Sequence, residues 1–146
     1  MPPKLKGYFP IMPTAYTHDN QVDLASMRRL TNYLIESGAQ GMSPNGGDSE
    51  GRYLKADERM RSLDAVLEAN NGRRPVLAGT SAHTTEESLL LTRYAQKAGA
   101  DAVFVMPPSN WSAELHKETP IEEMLAHYTA ICEGSDITIM IHAVAS

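Results

Sequence analysis

The stretch that decides the fold runs from residue 72 to residue 108 and reads GRRPVLAGTSAHTTEESLLLTRYAQKAGADAVFVMPP. It opens with RPVLAG, a short apolar run bounded by turn residues, which predicts a buried strand. Thr84 then precedes a segment of helical period, and Glu87, three residues on, completes a capping box. We expect this helix to end at Gly99, before DAVFVMP, a strand with apolar residues on both faces. The pattern is that of a strand, a crossover helix and a second, parallel strand.

The same alternation extends in both directions along the chain. Candidate strands are centred near residues 11, 43, 77, 104 and 140, roughly one strand–helix unit apart. Three more helices are predicted: from Asp23 to Gly38, around Leu63, and after a start signal at Thr119 and Pro120. Strands that are apolar on both faces indicate either a doubly wound sheet or a (β/α)8 barrel. No G-x-G-x-x-G motif follows the first strand, which weakens the nucleotide-binding alternative.

Composition sets limits on the class of protein. The chain has 146 residues, a formal net charge of -5 and 42% hydrophobic residues, which fits one domain with a modest core. Because charges of both signs are interspersed, we expect no nucleic-acid partner. The single cysteine, Cys132, excludes a disulfide framework. No apolar run approaches the ~20 residues of a membrane span, and the N-terminus lacks the apolar core of a signal peptide, so we expect a cytoplasmic protein without a membrane partner.

Several motifs, in this order along the chain, resemble those of the dihydrodipicolinate synthase and N-acetylneuraminate lyase family. They are a strand ending in Ala78-Gly79-Thr80, a helix start with Thr85 and Glu87, and the run from Gly99 to Ala102 before the next strand. Residues 19–41, DNQVDLASMRRLTNYLIESGAQG, are similar to the family's first helix. Pro13-Thr14 stands where the family has its first-strand proline–threonine motif. The resemblance covers nearly the whole chain.

This resemblance implies an α/β fold, a (β/α)8 TIM barrel of about twice this length, usually a homotetramer built as a dimer of dimers. Residues 1–146 are then expected to be the N-terminal portion of a single barrel domain, with about the first five strands and four helices. We therefore expect the chain to be a fragment. The implied chemistry is aldol cleavage or condensation through a Schiff base between a barrel lysine and pyruvate or another 2-oxo acid, without a cofactor.

Residues 43–54, SPNGGDSEGRYL, stand where the family has a G-T-T-G-E or G-S-T-G-E loop that binds the carboxylate of the 2-oxo acid. The resemblance therefore places Gly46, Gly47 and Asp48 in the substrate-binding loop. Gly46 and Glu50 match the family's pattern and the two hydroxyl residues do not, although a glycine turn still offers N–H groups to an anion. Asp48 would repel a carboxylate ~4 Å away by roughly 1 to 4 kcal/mol. We expect that Asp48 points away, is protonated, or meets a ligand other than pyruvate.

The ends of two later strands also depart from the family. Where the family has Y-N-V-P, with a tyrosine that relays protons, this chain has the run from His142 to Ala145. A histidine can perform the same acid–base work, so His142 is the candidate catalytic residue; the alternative is a histidine that only closes a hydrogen bond at the strand end. The family's P-Y-Y is replaced by PPSNW, residues 107–111. Trp111 either fills the space of the missing tyrosine or lies at an exposed or interface position.

The nucleophilic lysine of the family lies on the sixth strand, beyond Ser146. The lysines of this chain are all predicted in tails, helices or loops, where burial does not make them nucleophilic: Lys4, Lys6, Lys55, Lys97 and Lys117. The isolated chain is therefore not expected to form the covalent intermediate.

Other titratable residues favour plainer interpretations. No metal site is expected, because the histidines lack zinc-site spacing and Asp48 with Glu50 is a weak case for a divalent ion. His83 is interpreted as a loop histidine on the face where barrel sites form. The charged cluster of Asp57, Glu58, Arg59 and Arg61 is interpreted as a solvated helix face.

Three hypotheses for function follow. The first is a Schiff-base lyase acting on a 2-oxo acid, although the altered loop and relay argue against dihydrodipicolinate synthase activity itself. The second is a non-catalytic relative with a binding or regulatory role. The third is a half-barrel that dimerises to cover the exposed edge of its fifth strand.

Overall fold

The computed structural model of this chain describes residues 5–107 and 119–142. It contains four α-helices, three strands and one turn of 3-10 helix in these described parts. In chain order they are α1 (Leu24–Glu36), the 3-10 turn (Gly51–Tyr53), α2 (Ala56–Asn70), β1 (Leu77–Gly79), α3 (Thr85–Ala98), β2 (Ala102–Val105), α4 (Ile121–Glu133) and β3 (Thr138–Ile141).

The three strands form one parallel sheet in the order β1-β2-β3. Leu77 pairs with Ala102, and Ala102 in turn pairs with Thr138. Successive strands are thus neighbours, with one helix between each pair. This confirms the parallel strand–helix–strand pattern predicted from residues 72–108.

The first two predicted strands are present only as isolated bridges. Ile11 pairs with Ser43 and Met42 pairs with Val76, both in parallel. The Met12 N–H donates to the Ser43 carbonyl at 2.9 Å. Prolines at positions 10, 13, 44 and 75 have no N–H to donate to a ladder, although the carbonyls of Pro10, Pro44 and Pro75 accept hydrogen bonds from the neighbouring segments. The five segments nevertheless lie side by side in sequence order, as in the first part of a barrel.

Side chains alternate across these segments and form two layers. The helix-covered layer consists of Met12, Met42, Val76, Val103 and Val105, which pack in one core with helix residues that include Met27, Leu63 and Ile131. The cavity-facing layer consists of Ile11, Leu77, Phe104 and Met140, which line a cavity of about 410 Å³ on the other face of the sheet.

Helix starts agree with the sequence in most places. The Thr84 side chain caps α3 by accepting from the Glu87 N–H at 3.2 Å. Asp23 caps α1 by accepting from the Ser26 N–H at 3.0 Å. At α4 the start signal predicts Thr119 as the N-cap and Pro120 in the first turn, and this is wrong by one position: Pro120 is the N-cap, because its ψ of 142° is extended. Among the helices of the described residues, none has the length and apolar character that crossing a membrane requires.

Candidate functional site

The glycine-rich stretch forms a tight loop at the carboxyl end of the second bridged segment. Asn45 and Glu50 adopt left-handed backbone conformations, with φ of 62° and 58°. The Gly46 N–H donates to Ser49 Oγ at 3.0 Å, and the Gly46 carbonyl accepts from the Ser49 N–H at 3.2 Å and from the Gly51 N–H at 3.3 Å. The loop is therefore closed on itself around Gly46, and several of its N–H groups are already used.

Gly46 is buried against the cavity-facing layer. A Cβ added there would lie 2.8 Å from Phe104 Cζ and 3.1 Å from Ile11 Cγ2, so only glycine allows the backbone to approach the Phe104 ring this closely. The His142 ring stands edge-on to the same Phe104 ring, with 5.8 Å between ring centroids. The His142 N–H donates to the Val105 carbonyl at 2.9 Å. Two of the predicted site residues are thus brought to one aromatic ring.

Gly47 and Asp48 lie at the exposed surface of the loop. A Cβ at Gly47 would meet no atom within 4 Å, so the space beside it is open. Because Asp48 is exposed, water and salt screen its charge, and its repulsion of an anion falls at the lower end of the expected range. The structure does not bring these two residues against Phe104.

Residues that follow the first segment hold the outer end of the loop. The Thr14 hydroxyl donates to the Ser49 carbonyl. Partial burial and a hydrogen bond with the Glu50 carboxylate raise the pKa of Tyr16 to about 12, so this phenol remains a donor at neutral pH. Thr14 matches the family's motif on the first segment, and the structure shows that its hydroxyl supports the loop.

A buried arginine supports the inner end of the loop. The interpretation of the charged cluster at residues 57–61 as a solvated face is wrong for Arg59, whereas Asp57 and Arg61 are exposed. Arg59 is only 2% exposed, and its guanidinium donates to the carbonyls of Gly79 (2.9 Å) and Ser81 (2.8 Å). Burial lowers the pKa of Arg59 to about 10, opposed by the charge of Glu87. Helical period could have revealed this position, because Arg59 lies four residues before the buried Leu63.

Hydroxyl groups tie the end of β1 to the end of β2 and to α3 behind the loop. Ser81 Oγ accepts from the Met106 N–H at 2.9 Å, and the Thr92 hydroxyl donates to Thr80 Oγ1 at 2.9 Å. Both Thr80 and Ser81 are buried. The Ala-Gly-Thr motif therefore forms a rigid wall beside the loop.

The remaining predicted residues lie apart from this site. His83 is exposed in the turn before α3. Trp111 lies outside the described residues, as do Lys4 and Lys117. The described lysines, Lys6, Lys55 and Lys97, are exposed and lie outside the strands. Within residues 5–107 and 119–142, no three histidine, cysteine, aspartate or glutamate side chains are grouped as metal ligands.

Comparison with known proteins places this geometry in a family. Residues 4–146 match the Dihydrodipicolinate synthetase family. The chain is 34% identical over 143 residues to the 4-hydroxy-tetrahydrodipicolinate synthase of Methanothermobacter thermautotrophicus, covering 98% of this chain and 48% of that protein.

Solved structures give the same result. A prophage protein of the dihydrodipicolinic acid synthase family from E. coli K12, in complex with pyruvate, superposes with a TM-score of 0.86 at 26% identity, covering 95% of this chain and 45% of that one. An N-acetylneuraminate lyase from Mycoplasma synoviae also gives a TM-score of 0.86 at 26% identity, covering 95% of this chain and 46% of that one.

The chain spans about half the length of the relatives it matches. The predicted fold class is confirmed: the five neighbouring segments and four helices are part of the (β/α)8 TIM barrel of these relatives. The sequence match and the structural match thus agree, and this chain belongs to the dihydrodipicolinate synthetase family.

Proposed function

We propose that this chain supplies the carboxylate-binding side of a Schiff-base lyase that acts on pyruvate or another 2-oxo acid. The observation that carries the proposal is the meeting of Gly46 and His142 at the Phe104 ring. This meeting point lies at the carboxyl ends of the parallel segments, where barrel enzymes bind their substrates. The relative solved with pyruvate supports a 2-oxo acid as the ligand class.

In this proposal the loop binds the substrate's carboxylate. The N–H groups of Ser49, Glu50 and Gly51 are taken by the carbonyls of Gly46 and Gly47. The peptide groups of Gly47 and Asp48 are therefore the donors proposed to face the anion. Gly46 contributes by letting the loop lie directly on Phe104.

His142 is the proposed acid–base residue. It lines the cavity together with Ser43 and Phe104 at the end of β3. An imidazole there can donate a proton to, or accept one from, a substrate in the cavity, which is the work of the family's relay tyrosine. Because the loop lacks both hydroxyl residues and the relay tyrosine is replaced, dihydrodipicolinate synthase activity itself is not proposed.

The non-catalytic alternative rests on the lysines. The three described lysines are exposed and lie outside the strands, so none of them has the buried strand position of the family's nucleophile. If the complete barrel also lacks a buried strand lysine, the same loop serves binding or regulation. The placement of residues 1–146 within one barrel domain, the homotetramer and the cytoplasmic location remain predictions from the sequence.

Borohydride trapping with pyruvate, followed by intact mass measurement, tests the lyase proposal. It is performed on this chain and on any longer product of the same gene. The expected result is the added mass of reduced pyruvate on the longer product only. If neither product gains mass, a panel of larger 2-oxo acids separates a different substrate from a non-catalytic barrel.

Substitution of Asp48 tests the carboxylate loop by itself. Asp48→Thr removes the charge and restores a hydroxyl, so pyruvate should bind this chain about fivefold more tightly, which corresponds to roughly 1 kcal/mol at the exposed end of the electrostatic range. Asp57→Thr is the matched control, because it removes an exposed carboxylate from α2 instead. Equal pyruvate affinities for both variants, measured by titration calorimetry, would mean that Asp48 does not lie near the bound carboxylate.

A further inference from the structure

Arg59 is a buried cation without a buried counter-charge. Its side chain is 2% exposed, and within the described residues no carboxylate lies at ion-pair distance from it. Glu87 is near enough to raise its pKa, but burial outweighs that effect and the pKa falls to about 10. An unpaired buried charge opposes folding. We therefore consider which groups the hydrogen bonds of Arg59 hold in place.

The guanidinium of Arg59 holds two carbonyls at the end of β1. It donates to Gly79 at 2.9 Å and to Ser81 at 2.8 Å, on either side of Thr80. A planar guanidinium can bond two acceptors at fixed angles, which a single ammonium group cannot do. The strand end is therefore fixed in position and in direction.

The backbone of Arg59 also holds the loop. Its carbonyl accepts from Asn45 Nδ2 at 2.9 Å. Asn45 is buried, and its φ of 62° belongs to the left-handed region that asparagine tolerates better than most residues. One residue thus bonds the strand end through its side chain and the loop through its main chain.

The loop lies in direct contact with the strand end at this point. A Cβ on Gly79 would lie 2.3 Å from the Asn45 carbonyl oxygen, and the Gly79 N–H donates to the Pro44 carbonyl at 2.9 Å. Any shift of the strand end therefore moves Asn45, and with it the Gly46 peptide that lies on Phe104.

We propose that Arg59 is a positioning residue for residues 45–50, which the bonds to Gly79, Ser81 and Asn45 keep in register with the end of β1. The inference deepens the proposed function, since it rests on that function for the identity of the ligand. It assigns to Arg59 the placement of the Gly47 and Asp48 peptide groups that meet an anionic substrate.

Amide hydrogen exchange, followed by NMR without any ligand, tests this inference. The variants are Arg59→Met and Arg59→Lys, and Ser62→Ala is the control because Ser62 is also buried on α2 and its hydroxyl has no partner in the described structure. Exchange at the Gly46, Ser49 and Gly51 amides should rise tenfold or more in both Arg59 variants, while Gly99 at the end of α3 changes only with global stability. Lysine should not rescue the loop. A uniform rise across all amides, or no rise at the loop, would overturn the inference.

Asn45→Gly keeps the test valid if Arg59→Met does not fold. Glycine accepts the left-handed φ, and the substitution removes the buried side chain whose Nδ2 donates to the Arg59 carbonyl, so the same local rise in exchange is expected. A pyruvate titration of the unaltered chain, followed at Gly47, separates the two proposals. Faster amide exchange at the loop of the variants, without pyruvate binding to the unaltered chain, supports the positioning role and contradicts the proposed ligand. Pyruvate binding with unchanged exchange in every variant supports the ligand and contradicts the positioning role.

Discussion

The two faces of one sheet differ in how completely this chain covers them. In the helix-covered layer, Met42, Val103 and Val105 have no exposed surface. In the cavity-facing layer, Met140 remains 44% exposed and Ile11 37% exposed. Both layers come from the same short segments, because side chains alternate along a strand. The difference therefore lies in what packs against each face, and not in the apolar character of the strands.

This comparison separates stability from function within one set of strands. The helix-covered layer buries apolar area against four helices, which is the main source of folding free energy. The cavity-facing layer contributes little packing at its edge, but it contains Phe104, against which Gly46 and His142 lie. Substitutions on the two faces should therefore differ in size and in kind.

The largest effect is expected in the helix-covered layer. Met42→Ala should lower the free energy of unfolding by about 2–5 kcal/mol, because it leaves a cavity in a fully packed core. Urea denaturation followed by circular dichroism measures the change. A loss below ~1 kcal/mol would mean that this layer is not the core of the folded chain.

The next largest effect is expected where the loop crosses the strand end. Gly79→Ala places a Cβ 2.3 Å from the Asn45 carbonyl oxygen, a backbone atom that cannot move alone. It should cost about 1–3 kcal/mol or more, measured by the same denaturation. Gly46→Ala is the control: its Cβ meets the side chains of Phe104 and Ile11, which border a cavity and can shift. Equal losses would show that the cavity-facing layer is as tightly packed as the strand end.

Sequence periodicity predicted the elements of the fold well, because helices and parallel strands follow from local patterns. The strands around Leu77 and Phe104 and the cap at Thr84 were all visible in residues 72–108. An exposed edge of the fifth strand was expected from the half-barrel hypothesis, but the residues of β3 do not show it by themselves, because TIMI is as apolar as AVFV and only the neighbouring structure decides burial. Burial on both faces is thus a property of the assembled sheet.

The candidate site was predicted only in part, because its supports are long-range. The family resemblance pointed to Gly46 and His142, and the structure brings both to Phe104. Arg59 was assigned to solvent because its neighbours in sequence are charged. Its helical spacing from Leu63 indicates a buried position, but its acceptors, Gly79 and Ser81, lie twenty and more residues away. Because every residue type has a backbone carbonyl, the identity of the acceptor residues does not indicate that they bind an arginine.

A smaller effect, dependent on pH, is expected on the helix-covered side at α4. His127 is buried, with Nδ1 2.8 Å from Thr85 Oγ1, and burial lowers its pKa below the usual 6.5, opposed by the Met106 backbone. The unfolded chain therefore binds a proton at this histidine more readily than the folded chain does. The contribution of the neutral His127 to the free energy of unfolding is fully present above about pH 6.5 and is lost as the pH falls through the lowered pKa. Denaturation between pH 8 and pH 5 should show a slope of at most about 1.4 kcal/mol per pH unit from this group. His127→Gln should remove that slope, and identical slopes would assign the acid sensitivity to other groups.

The smallest effect is expected at the open edge of the cavity-facing layer, and it tests the comparison most directly. Met140→Ala removes the same side chain as Met42→Ala, from the same sheet, but from a position that is 44% exposed. Because much of the thioether side chain already contacts water, its loss should cost less than about 1 kcal/mol of unfolding free energy. Sedimentation velocity at the same concentration supplies the control. If the loss of unfolding free energy is close to that of Met42→Ala and the chain sediments as a dimer, a second copy covers the cavity in solution. If the same loss is found in a monomer, the two faces are equally packed and the comparison fails.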